Sequence, residues 1–305
     1  MPPTPQYAWP LLGHAVGTEV WVKHENHTPT GAFKVRGGLV YADRLRSQRP
    51  EVKGIVSATR GNHGQSLAFA GAATGLSVTI VVPHGNSRDK NAAMRGFGAE
   101  VVEFGHDYQA AREHSVELAA QRQLEAVAPF HPDLVLGVAT YARELFEAVD
   151  GLDAVYVPVG MGTGICGLIG VRDLLGLNTE IVGVVAEQAP ATARSFAAGR
   201  VVTTDSAATF IDGVACRVPD GDAIATICQG AARIVDVSEA ACADAMRLLF
   251  ATTHNAAEPA GALALAGLLA DDRRCDGQRV AVIQTGGNID SDVFARVLAG
   301  ETPDA

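Results

Sequence analysis

Lys34 stands behind a Pro29-Thr30-Gly31 turn, beside Phe33, at the head of a helical pattern. A lysine at the mouth of a helix lies among the partial positive charges of the first-turn N–H groups, which disfavour its protonated form. A neutral amine is what Schiff-base chemistry needs. Most lysines that start helices are only solvated charges, so the reading depends on company. Three further segments supply it: Ser57-Ala58-Thr59-Arg60-Gly61-Asn62-His63-Gly64, Val157-Pro158-Val159-Gly160-Met161-Gly162-Thr163-Gly164-Ile165-Cys166-Gly167, and Gln284-Thr285-Gly286-Gly287-Asn288. Each follows a β-branched apolar run. A strand, a glycine turn and a helix N-terminus form an anion site, with backbone N–H groups and the helix dipole aimed at the ligand. One such loop is common in α/β proteins; several with the lysine segment make a constellation.

The elements that must hold these loops are legible as alternation. Apolar runs of strand length at 20–24, 54–57, 78–82, 100–104, 154–159, 181–187, 234–237 and 280–284 alternate with helical patterns at 33–45, 63–74, 108–121, 140–149, 167–175, 239–251 and 259–269. This predicts an α/β protein with parallel sheets covered by helices. A chain of 305 residues exceeds a usual single core and predicts two domains or one elaborated α/β unit. The 48% hydrophobic content, 19% charged content and 33 glycines fit a well-buried enzyme with many tight turns.

A net charge of −10, from 24 basic and 34 acidic residues with no basic tract, argues against nucleic acid or an anionic membrane as partner. The five cysteines, Cys166, Cys216, Cys228, Cys242 and Cys275, are odd in number and lack C-x-x-C spacing, so neither a disulfide framework nor a zinc site is expected. Cys166, at a glycine-rich helix start, reads as a reactive thiol or as a small packing residue. The first ten residues lack a basic-then-apolar signal pattern, and no apolar run reaches membrane-spanning length. The cytoplasm is the default expectation.

In this order, the lysine segment and the three loops resemble the fold-type II pyridoxal-phosphate enzymes (tryptophan synthase β-like), and within them the threonine/serine dehydratase and serine racemase branch. The similarity runs from about residue 21 to about residue 290 and takes in Asp212-Gly213-Val214-Ala215 and Glu258-Pro259-Ala260-Gly261-Ala262. It implies pyridoxal 5'-phosphate as cofactor and two parallel-sheet α/β domains with the cofactor in the cleft. A large discontinuous domain would comprise residues 1–39 plus 136–305, and a small substrate-loop domain residues 40–135. The resemblance also implies a homodimer. The chain ends soon after the 284–288 segment, so a C-terminal regulatory domain is not expected.

Residue roles follow from matching positions. Lys34 matches the lysine that binds the cofactor as a Schiff base and later moves protons at the substrate Cα. Phe33 would pack beside the cofactor or serve the core. Asn62 matches the residue bonded to the cofactor's phenolic oxygen, and His63 would support that loop. Thr59, Arg60, Gly61, Asn62 and His63 would cradle the substrate's α-carboxylate, and Gly213 would line the pocket. Gly160, Met161, Gly162, Thr163 and Gly164 would hold the phosphate. In that loop Met161 and Thr163 replace two glycines of the usual run, and Thr163 could add a hydroxyl donor. Thr285 matches the hydroxyl that contacts the pyridine nitrogen. Glu258 would lie near the cofactor ring or cap the helix begun by Pro259.

Arg60 stands where the racemase has a serine acting as acid and base. An always-charged guanidinium has no comparable proton to exchange, so one-sided elimination fits better than racemisation. Arg60 could instead recognise a second substrate carboxylate, or point to solvent. Glu187 matches the first ligand of a divalent cation in the racemase-like branch and Ala191 could offer a carbonyl, but Ala193 replaces the acidic partner, so a cation is unsupported. The expected activity is α,β-elimination of a β-hydroxy amino acid, threonine- or serine-like, to a 2-oxo acid and ammonia. The alternatives are a dehydratase specific for hydroxyaspartate or another modified β-hydroxy amino acid, an amino-acid racemase, and a non-catalytic binder of the cofactor.

Overall fold

The computed structural model describes residues 1–274 and 277–304; Cys275 lies outside them. The chain divides into two compact units, one formed by Met1–Gly31 with Ala139–Ala305, the other by Ala32–Val138. The larger unit opens with β1 (Gln6–Ala8), α1 (Pro10–Val16) and β2 (Glu19–His24). The smaller unit follows with α2 (Lys34–Gln48), β3 (Gly54–Ala58), α3 (Asn62–Thr74), β4 (Ser77–Val82), α4 (Arg88–Gly96), β5 (Glu100–Glu103), α5 (Tyr108–Arg122) and β6 (Glu125–Ala126). The division falls inside α6 (Pro132–Ala148). The larger unit resumes with β7 (Ala154–Pro158), α7 (Thr163–Leu174), β8 (Glu180–Ala186), α8 (Ala191–Ala198) and a 3-10 turn at Asp212–Val214. It closes with α9 (Gly221–Gly230), β9 (Arg233–Val237), α10 (Glu239–Thr253), α11 (Pro259–Ala270), β10 (Arg279–Gln284) and α12 (Ser291–Leu298).

The smaller unit is a four-stranded sheet in the order β5-β4-β3-β6, parallel throughout. Every residue of β3 is buried, as a central parallel strand covered on both faces requires. α2 packs against α3 at close range because Gly38 carries no side chain; a methyl there would lie 2.9 Å from the Ser66 carbonyl oxygen. Residues 32–39 group with the smaller unit, where the family resemblance implies a division after residue 39.

The larger unit has a six-stranded sheet ordered β1-β2-β10-β7-β8-β9, in which only the β1 edge strand is antiparallel. Its interior is filled by α11, whose Ala- and Leu-rich sequence is apolar all round and buried from Pro259 to Leu268. All three loop motifs follow the carboxyl ends of parallel strands: β3, β7 and β10. In parallel α/β sheets that edge is where ligands bind.

Candidate active site

In the smaller unit, Lys34 is the first residue of α2 and is partly buried, with its Nζ 4.5 Å from the centroid of the buried Phe33 ring. The Ser66 hydroxyl of α3 donates to the Lys34 carbonyl at 2.6 Å, fixing the lysine's backbone to the neighbouring helix. The loop after β3 is held by the Gly61 N–H, which donates to the Thr59 hydroxyl at 3.0 Å. The Thr59 hydroxyl therefore shapes the loop, and α3 begins at Asn62 with no side chain capping its first turn. An uncapped helix start of this kind presents backbone N–H groups of the sort that anions bind. His63 is buried and its Nε2 has no hydrogen-bond partner. Burial, together with the nearby Lys34 charge, pushes its pKa down to about 3, so it is a neutral group beside the lysine. Arg60, between these residues in sequence, is exposed.

The larger unit gathers the phosphate-loop candidates. Gly162 ends the turn with φ +96°, a conformation that L side chains rarely adopt, and no side chain caps α7, which starts at Thr163. A methyl on Gly160 would lie 2.7 Å from the Gly213 carbonyl oxygen, and one on Gly213 would lie 2.7 Å from the Ala260 Cβ. Ala260 in turn accepts a hydrogen bond from the Thr285 hydroxyl at 3.3 Å. Gly160, Gly213, Ala260 and Thr285 thus form one continuous line. Met161 packs its sulfur 3.5 Å from Cys216, and Tyr141 donates to the Gly164 carbonyl at 3.1 Å. Glu258 is buried and is the residue before α11, but its side chain makes no capping bond. The capping reading of that carboxylate does not hold.

Some candidates stay apart. Glu187 is exposed just after β8, and among the described residues no group of three His, Cys, Asp or Glu side chains is placed to hold a metal ion. The Cys166 thiol is buried, and burial pushes its pKa up to about 12; it packs rather than reacts. Among the described residues no helix is long and apolar enough to cross a membrane.

Two features escape a reading of the sequence. Lys90, in the first turn of α4, is buried and lays its side-chain stem against Gly61; a methyl on Gly61 would meet the Lys90 Cδ, Cε and Cγ. A cation in a first helical turn opposes the dipole, and that anomaly was the available signal. The other is a polar chain from Trp9 through His24 to Gln284, whose members are too far apart in sequence to suggest each other.

The chain has four lysines, and their surroundings differ sharply. Lys23 is fully buried in an ion pair with Glu144 at 2.6 Å, Lys53 is exposed, and Lys90 is buried within α4. Lys34 alone is the partly buried lysine at a helix start beside a neutral imidazole. Each unit by itself carries groups whose chemistry suits pyridoxal phosphate: the larger has an uncapped helix start behind Gly162 and the Thr285 hydroxyl just after β10, and the smaller has the partly buried Lys34 amine. The orphaned His63 nitrogen marks a polar wall in the lysine's surroundings.

Comparison with known proteins agrees. A family model described as pyridoxal-phosphate dependent enzyme matches residues 1–286. The chain is 32% identical to an L-threo-3-hydroxyaspartate ammonia-lyase from Pseudomonas sp, covering 97% of this chain and 93% of that protein. It is 30% identical to an L-threonine ammonia-lyase from Thermotoga maritima, covering 94% and 72% respectively. The structure of the processed form of threonine deaminase isoform 2 from Solanum lycopersicum superposes with a TM-score of 0.92 at 28% identity, covering 98% of this chain and 89% of that one.

Proposed function

Because this chain belongs to the pyridoxal-phosphate-dependent enzyme family and has its fold-type II architecture, we propose that it removes the β-hydroxyl and amino groups of a threonine- or serine-like β-hydroxy amino acid. The products are a 2-oxo acid and ammonia. Bound pyridoxal phosphate supplies the electron sink for the charge that develops at the substrate Cα. Lys34 would hold the cofactor, and its Nζ would take the proton from the substrate Cα. The first-turn N–H groups of α7, with the Thr163 hydroxyl, hold the phosphate. Asn62 meets the phenolic oxygen, and the first turn of α3 holds the substrate α-carboxylate. The Cα–H electron pair would become the Cα–Cβ double bond, the Cβ–O pair would leave on the oxygen, and the proton carried by the Lys34 Nζ would complete the departing water. The resulting enamine takes up water and yields the 2-oxo acid and ammonia.

The observation that carries this reading is the line from Gly160 through Gly213 and Ala260 to Thr285, which ends on a hydroxyl. A hydroxyl at the ring nitrogen provides no fixed negative charge to keep that nitrogen protonated. The sink is weakened, which suits a reaction whose leaving group removes the developing charge and suits transamination poorly. The test is a panel holding both enantiomers of serine and threonine, the hydroxyaspartates and phenylserine, with 2-oxo acid and ammonia measured together. Equal release of both products from at least one member supports elimination. Racemised amino acid without ammonia overturns it.

A second reading, a substrate with an acidic side chain, draws support from Lys90 lying against Gly61 next to Arg60. Two cationic side chains flanking the carboxylate loop suit a second carboxylate. Selective loss of hydroxyaspartate turnover in Arg60→Ala supports this reading; an equal effect on threonine removes it. A homodimer and a cytoplasmic location belong to the same proposal, and light scattering of the loaded protein checks the first.

A further inference from the structure

β2 and β10 run in parallel register with His24 opposite Gln284. Both side chains are buried. The Trp9 indole Nε1 donates to His24 Nε2 at 2.9 Å. An indole nitrogen can only donate, so His24 Nε2 must present its lone pair and the ring proton must sit on Nδ1. That proton is directed at the Gln284 Oε1, 2.9 Å away. The orientation of the glutamine amide follows, and its Nε2 donates to the Ala256 carbonyl at 3.0 Å. One donor-only group therefore sets the direction of three successive hydrogen bonds. Burial and the charges of His27 and Lys23 lower the His24 pKa to about 4, which keeps the imidazole neutral as this chain requires.

The chain ends at two segments that both carry candidate site residues. Gln284 immediately precedes Thr285, and Ala256 lies two residues before Glu258. The Glu258 N–H donates back to the Gly286 carbonyl at 3.1 Å. Two cross-links, one through the Gln284 side chain and one through the backbone, thus tie residues 256–258 to residues 284–286 with Thr285 between them. We propose that Trp9, His24 and Gln284 are positioning residues that fix the Thr285 hydroxyl where it meets the cofactor ring. This rests on the assignment of Thr285 to the ring nitrogen made above. A buried polar chain contributes little net stability over apolar packing, but when fully satisfied it holds its members in one arrangement.

The test uses the loaded enzyme and the variants Gln284→Leu, Trp9→Phe, His24→Leu and His24→Gln. The readouts are the visible absorbance and affinity of bound pyridoxal phosphate, with no amino acid added, and the nitrogen NMR signals of the histidines. The wild type should contain a histidine protonated on Nδ1 whose signals move in Trp9→Phe. Gln284→Leu should shift the cofactor absorbance, weaken cofactor binding about tenfold and lower kcat more than it changes KM. His24→Gln, which can accept from Trp9 and donate to Gln284, should retain more than His24→Leu. An unchanged cofactor spectrum and affinity in Gln284→Leu and Trp9→Phe, with only a lower melting temperature, would overturn the proposal. If Gln284→Leu does not fold, Trp9→Phe and the histidine tautomer still decide; a proton on Nε2 refutes the chain. Because the spectra need no substrate, a silent substrate panel would remove the proposed reaction without touching this result.

Discussion

The Ser66 hydroxyl donates to the backbone carbonyl of Lys34 at 2.6 Å. The lysine's main chain is thereby anchored to α3, the helix that follows the 57–61 segment, within the smaller unit. Ser66→Ala removes the donor and leaves a buried carbonyl without this partner. The expected loss is about 1 kcal/mol of stability, with faster loss of the cofactor on dilution. Calorimetry and the visible absorbance of the bound cofactor check both. A stability loss with unchanged cofactor retention would make the bond merely architectural.

Thr285→Val keeps the shape of the side chain and removes the hydroxyl. With the cofactor still loaded, kcat should fall on the order of tenfold or more. Near-normal turnover at full loading would count against the ring-nitrogen role.

Gly162→Ala places a Cβ on a residue with φ +96°, where the new atom would lie 2.9 Å from the Ala223 Cβ. Both effects distort the turn that starts α7, and the strain is about 1–3 kcal/mol. Affinity for pyridoxal phosphate should drop more than affinity for pyridoxal. Titration with pyridoxal phosphate and with pyridoxal separates the two: loss confined to the phosphorylated form is expected, and equal loss contradicts the phosphate assignment.

Acid should destabilise the protein through two buried histidines. His24 and His63 have pKa values lowered from 6.5 to about 4 and about 3. As pH falls below 6.5 the unfolded chain takes up protons that the folded protein refuses, so folding stability drops. The drop reaches at most about 1.4 kcal/mol per pH unit for each group and ends as pH passes the folded values. Denaturant unfolding from pH 7 to pH 4 checks this, and replacing His24 by glutamine should flatten part of the slope. A stability that is constant over that range would contradict the buried neutral state of both.

Much of the frame was legible because β-branched runs such as Gly-Ile-Val-Ser-Ala in β3 leave no other economical burial. The edge strands β1 and β6, with three and two residues, were not, since neither is long enough to show alternation. Short helices such as α4 and α12 escaped for the same reason. α6 begins at Pro132 and not near 140, the proline filling a first-turn position whose N–H needs no partner. α7 begins at Thr163 although the glycines suggested a start at 167; its first turn is where an anion would bind. The motif loops themselves could be found because each is continuous in sequence. The His24–Gln284 bond could not, since its partners are 260 residues apart and only the β2–β10 register brings them together.

The most direct measurement is borohydride reduction of the cofactor-loaded protein, followed by peptide mapping of the pyridoxyl mass. With only Lys23, Lys34, Lys53 and Lys90 available, the label should fall on Lys34, and Lys34→Ala should lose both the label and all release of 2-oxo acid. A label on another lysine, or substantial turnover by Lys34→Ala, would contradict the assignment on which the whole mechanism stands.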